Sequence, residues 1–230
     1  MDWIHNYQLF LFDFDGLLVN TEELHYHAYQ QMCANRHITL PWDFKRYCQA
    51  AHYDSDGLRV QMYDACPELG KQEPDWRVLY KEKQAIMQEL LKSGKASLMP
   101  GAEPLLLALQ QHRINRAVVT HSPSPLINIL REQLPILKTI PHWITRECYS
   151  QPKPHSDCYL EAIRLLANPD DRIIGFEDTP RGMTALLGST AQPILVCQTE
   201  YPEIETFLAR GVLRFYSLLE LSANDAIKQG

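Results

Sequence analysis

Five of the six residues from Leu9 to Phe14 are large and apolar, and the run closes on Asp13-Phe14-Asp15-Gly16. Such a run predicts a strand buried on both faces of a parallel sheet, with the two carboxylates where it leaves the core. The pattern then changes to helical spacing. Asn20 or Thr21 can cap a helix whose first turn carries Glu22 and Glu23, with Leu24, Ala28 and Met32 behind. Helical segments continue to about residue 95, where Ser93-Gly94-Lys95 ends the last of them. From Met99 the alternation of strands and helices returns. Strands are expected at Ile114 to Thr120, near Trp143 to Thr145, at Ile173 to Phe176 and at Pro193 to Cys197. Helices are expected at Pro104 to Gln110, Leu126 to Gln133, Cys158 to Leu166 and Ile204 to Ala209. This order predicts an α/β fold: a Rossmann-like parallel sheet core, wound with right-handed crossovers, and an inserted all-α helical cap domain. The core takes residues 1–18 and 96–230, and the cap takes 19–95.

Composition narrows the function without naming it. The 230 residues are 45% hydrophobic and 22% charged, ordinary for a soluble protein. The net charge of -6 argues against nucleic acid or an anionic membrane as partner, and no apolar run approaches a membrane span. The six cysteines are scattered with no C-x-x-C pair, which suits reduced thiols and a cytoplasmic location.

The chemistry gathers at the expected strand ends. Asp13, Asp15 and Gly16 close the first strand, Thr120 and His121 the second, and Glu177 and Asp178 a later one; Lys153 lies between prolines in a loop before a helix. In a parallel sheet these positions project to one edge, where open α/β sheets place their ligands. Two carboxylates about 4 Å apart repel by ~4 kcal/mol at an effective dielectric of 20. Three or four of them therefore call for a cation, and an all-oxygen set suits Mg²⁺.

Asp-x-Asp-Gly, then Thr, then Lys-Pro before a helix, then Glu-Asp-Thr-Pro-x-Gly, in that order, resemble the motifs of the haloacid dehalogenase superfamily. The resemblance is greatest to the helical-cap branch that includes β-phosphoglucomutase and the phosphoglycolate-phosphatase-like enzymes. It implies a Mg²⁺-dependent phosphatase acting on a small phosphorylated metabolite through an aspartyl-phosphate. Asp13 would be the nucleophile and Asp15 the general acid and base. Thr120, Lys153, Gly16 and His121 would bind the phosphoryl group or substrate, with His25 contributing from the cap. Asp13, the backbone carbonyl of Asp15, Glu177 and Asp178 would hold the metal. A monomer or weak homo-oligomer is expected.

Asp15 separates this chain from carbon–halogen-cleaving relatives, because halide leaves without a proton. Some positions depart from the family pattern. Asn20 stands where relatives often carry Asp, and His121 where a small residue or Asn is common. Gln49-Ala50-Ala51-His52-Tyr53 lacks the Gly and Arg of the mutases' Gly-x-Ser-Arg-like stretch. His25 and His27 lie on different faces of one helix, which argues against a shared metal. Two alternatives stay open: a hexose-phosphate mutase, and a catalytically inactive binding protein of the same fold.

Overall fold

The computed structural model describes residues 1–53, 55–223 and 227. It divides into two compact units, Met1–Val19 with Ser97–Gly230, and Asn20–Ala96. Residues 224–226 and 228–230, at the end of the expected core segment, lie outside the described residues.

The first unit is built on a parallel sheet. β1 (Leu9–Phe12) is fully buried, as its unbroken apolar run requires. The second unit, described below, comprises α1 (Glu22–Ala34), α2 (Phe44–Ala51), α3 (Ser55–Ala65), α4 (Pro67–Gln72) and α5 (Trp76–Lys92). The first unit continues with α6 (Ala102–Gln111), β2 (Asn115–Val119), α7 (Ser124–Gln133), β3 (His142–Ile144) and α8 (Asp157–Leu166). It ends with β4 (Ile173–Glu177), α9 (Pro180–Leu186), β5 (Gln192–Val196), α10 (Ile204–Ala209) and β6 (Leu213–Phe215). The sheet order is β3-β2-β1-β4-β5-β6, every pair parallel. Progress along the chain runs outward from β1 in one direction and then, from β4, in the other. That reversal opens a crevice at the carboxyl end of β1.

Stacked rings of Phe10, Phe12 and Phe176 fill the centre of this unit, with Phe12 and Phe176 centroids 5.0 Å apart. Gly16, at φ 82, turns the chain just past Asp15. Val19 bridges to Asp15 and to Leu98, so the chain leaves and re-enters this unit side by side.

In the second unit α1 packs along α5. Its core holds Tyr29, Met32, Cys33, Tyr47, Met62, Leu69 and Leu79, all buried. Thr21 occupies the N-cap position of α1, with Glu22 and Glu23 in its first turn. Gly94, at φ 73, follows the end of α5. Among the described residues no helix is long and apolar enough to cross a membrane.

Candidate active site

β1 ends at Phe12, but the Asp13 N–H still donates to the Phe176 carbonyl at 3.0 Å. The ladder thus fixes Asp13 beside β4, next to Glu177 and Asp178. Lys153, buried in the loop before α8, places its Nζ 2.5 Å from Asp13 Oδ1 and 2.6 Å from Glu177 Oε1. It also donates to the Val119 carbonyl at 3.0 Å. One ammonium thus joins the ends of β1, β2 and β4.

Glu177 is wholly buried and held on every side. Tyr159, in the first turn of α8, donates its hydroxyl to Glu177 Oε1 at 2.5 Å, and the Asp178 N–H reaches Oε2 at 3.3 Å. Gly182 makes room for it: a Cβ there would lie 1.8 Å from Oε2. Thr179, the N-cap of α9, accepts the Gly182 N–H at 3.1 Å and sets that close approach.

Asp15 faces the other neighbour. Its Oδ2 accepts from Ser122 Oγ at 2.7 Å and from Thr120 Oγ1 at 3.3 Å. Thr120 Oγ1 in turn accepts the Ser122 N–H at 2.9 Å, which locks the turn after β2. The two aspartates, one residue apart, therefore have different surroundings. Asp13 sits between a lysine and two acids, while Asp15 sits among hydroxyls.

The electrostatics follow from this placement. Burial pushes the Asp13 carboxyl above its usual range; Lys153 pulls it back, while Glu177 and Asp15 raise it again. Burial works against the Lys153 charge, but Asp13 and Glu177 more than offset it and hold the ammonium protonated. Burial lowers His121 to about 4, helped by the cations Arg181, Lys153 and Arg146 and opposed by Asp15. His121 is accordingly neutral near pH 7, and its buried Nδ1 has no hydrogen-bond partner among the described residues.

Asp13, Glu177 and Asp178 each offer a carboxylate oxygen, all within 4.8 Å of one another. Three hard oxygen donors, one on a carboxyl that resists ionisation alone, fit a hard divalent cation. The Asp15 carboxylate is turned instead toward Ser122. The Gly16 N–H donates to the Val19 carbonyl at 2.9 Å, so what Gly16 visibly supplies is the turn rather than a donor aimed at phosphate. His25 belongs to the other unit, on α1, where its Nδ1 is 2.5 Å from Lys83 Nζ.

Ser122 and Tyr159 hold the central carboxylates and were not among the residues expected from the sequence. Ser122 was within reach of that reasoning, since it closes the Thr-His-Ser turn. Tyr159 falls within the helix expected at Cys158 to Leu166, and nothing in the sequence marks its hydroxyl.

Residues 10–194 match the model of the haloacid dehalogenase-like hydrolase family. Protein CbbY of Rhodobacter capsulatus is 25% identical over 207 residues, covering 86% of this chain and 88% of that protein. A phosphorylated carbohydrates phosphatase of Thermotoga maritima is 25% identical over 175 residues, covering 76% and 78%. The fold is also that of a solved structure from Haemophilus somnus 129PT, described as a phosphoglycolate phosphatase by prediction. That likeness has a TM-score of 0.78 at 16% identity and covers 95% of this chain and 97% of the other. The chain belongs to the haloacid dehalogenase-like hydrolase family and is an enzyme of its phosphatase type.

Proposed function

We propose that this chain hydrolyses a small phosphate monoester, of the phosphorylated-carbohydrate class that its Thermotoga maritima relative is named for, through a phosphoryl group carried on Asp13. The observation that carries the reading is the separation of the aspartates: Asp13 lies against Lys153, and Asp15 against Ser122 and Thr120.

Asp13 attacks phosphorus as an ionised carboxylate, a form that Lys153 favours against burial and the neighbouring acids. Asp15, away from Lys153 and held by hydroxyls, protonates the departing oxygen and then takes a proton from the hydrolytic water. Lys153 offsets the negative charge gathering on the phosphoryl oxygens, and Thr120 with the turn behind it supplies hydrogen bonds there. Asp13, Glu177, Asp178 and the Asp15 carbonyl would hold Mg²⁺. The ion would supply charge neutralisation that the acid cluster and a phosphate dianion both demand. The insert 19–95 would serve as the cap that excludes water before the first step and readmits it for the second. The setting is the cytoplasm.

The test is phosphate release from p-nitrophenyl phosphate and acetyl phosphate with Mg²⁺. Asp13→Asn and excess EDTA should each abolish release, and activity surviving either change would defeat the assignment. Supplying β-glucose 1-phosphate and asking whether it yields the 6-phosphate or free phosphate separates hydrolysis from mutase chemistry.

A further inference from the structure

A cavity of about 630 Å³ opens beside the amino ends of β1, β4 and β5, at the sheet edge opposite the one that carries Asp13 and Glu177. Small-molecule sites span roughly 300–1,000 Å³, so it has the size of one. Tyr7, just before β1, and Gln192, at the start of β5, line it, while Ile163 and Ala191 add apolar wall. Its polar groups are held in place. Tyr7 is buried, and its hydroxyl donates to Gln192 Oε1 at 2.5 Å, which leaves the Gln192 amide N–H groups as donors. Arg172 is pinned through its backbone: its N–H donates to Gln8 Oε1 at 2.8 Å, and its carbonyl accepts the Gln8 N–H at 2.9 Å. At the exposed mouth of the cavity its guanidinium lies over the Tyr7 ring, 5.1 Å from the centroid.

Among the described residues the lining holds three charged side chains, Arg164, Asp171 and Arg172. Two of them are engaged elsewhere. Arg164 meets Glu161 through two nitrogens, at 2.7 and 2.8 Å. Asp171 Oδ2 accepts the Asn168 N–H at 2.8 Å and Asn168 Nδ2 at 3.1 Å. The Arg172 guanidinium makes no ion pair among the described residues. Stacking on Tyr7 orients its planar fork without using the fork's donors. The geometry points to a binding site for a small organic anion in this cavity, its carboxylate or phosphate taken by the Arg172 fork and the Gln192 amide, its apolar body by Ile163 and Ala191. At about 3.3 Å per extended residue, the chain from Tyr7 to Asp13 spans about 20 Å. The occupant is therefore a ligand distinct from the molecule that meets Asp13.

Titrations of the ¹⁵N-labelled, Mg²⁺-loaded chain with benzoate, phenylphosphonate and benzamide, followed by amide NMR shifts, test it. None of the three is a phosphate ester. Amide signals of Asn168, Arg172, Ala191 and Gln192 should move and saturate with benzoate or phenylphosphonate, and the tighter of the two identifies the anion. Benzamide, the neutral isostere of benzoate, should bind at least ~10-fold more weakly than the preferred anion. Arg172→Gln should weaken that anion by ~10- to 100-fold, and Arg172→Lys should recover part of the loss. Thr190 lines the cavity from an exposed position, so Thr190→Trp should block all three probes while leaving Arg172 in place. No saturable shift with either anion would overturn the inference, as would shifts confined to Thr120 and Lys153, which mark the catalytic edge instead. Benzamide binding as tightly as the anions, or Arg172→Gln binding like the wild type, would overturn it equally.

Discussion

Replacing Lys153 with Met keeps the length of the side chain and removes its charge. The ammonium stands 2.5 Å from one buried carboxylate and 2.6 Å from another. At an effective dielectric of 20, each pair is worth about 6–7 kcal/mol of direct attraction before the cost of desolvation. The net effect is smaller, because the charges had to leave water to meet. Breaking a buried pair by deleting one partner costs about 3–5 kcal/mol, since the other partner stays buried and uncompensated. Here two carboxylates would be left, and they repel each other. The cost should therefore depend on pH. Without Lys153, the folded-state pKa of Asp13, already raised by burial, rises further above that of the unfolded chain. An acid with a raised folded pKa loses stability as pH increases, so Lys153→Met should be hurt more at pH 8 than at pH 5. Urea unfolding of both proteins at the two pH values, followed by circular dichroism, measures this. A variant within about 0.5 kcal/mol of wild type at both pH values would refute the buried-triad description. Phosphate release should vanish in the same variant.

Two further outcomes follow from single atoms. Gly182→Ala puts a Cβ 1.8 Å from Glu177 Oε2, and Glu177 cannot yield because Lys153 and Tyr159 hold its other oxygen. The variant should lose about 1–3 kcal/mol and show weakened Mg²⁺ dependence, read by thermal melts and a Mg²⁺ titration of activity; an unchanged protein would mean that Glu177 is loosely held. His121, lowered to about 4, takes up a proton far more readily when the chain unfolds. Its share of stability is thus intact above about pH 6.5 and is lost as pH falls toward 4, by about 2 kcal/mol between pH 7 and 5. His121→Asn should flatten that part of the stability profile, and coincident profiles would place the imidazole in solvent.

The pattern of the sheet is legible in the chain because each central strand is a short apolar run closed by a polar residue. Leu9–Phe12 and Ile173–Glu177 announce themselves this way. β6 does not: Leu213-Arg214-Phe215 is three residues long at the sheet edge, too short for a period to register. α9 was not among the expected helices; it is only seven residues long and contains Pro180 and Gly182, two poor helix formers. Yet Pro180 occupies the first helical position, where its missing N–H costs nothing, and Thr179 caps the turn. Asp13, Thr120, Lys153, Glu177 and Asp178 were legible as a set because parallel strands deliver their ends to one edge. What spacing could not convey was the direction of side chains. Nothing in the order of residues says that Asp15 turns to Ser122 or that Tyr159 reaches back to Glu177. Those facts depend on how a helix and a turn meet the strand ends in three dimensions.

The central claim is that Asp13 itself carries the phosphoryl group between the two steps. Rapid acid quench of the Mg²⁺-loaded wild-type chain during turnover, followed by mass mapping of its peptides, tests this most directly. The account predicts one phosphoryl group on the peptide containing Asp13, appearing within a turnover and absent from Asp13→Asn. Steady turnover with that peptide unmodified at every quench time would contradict it.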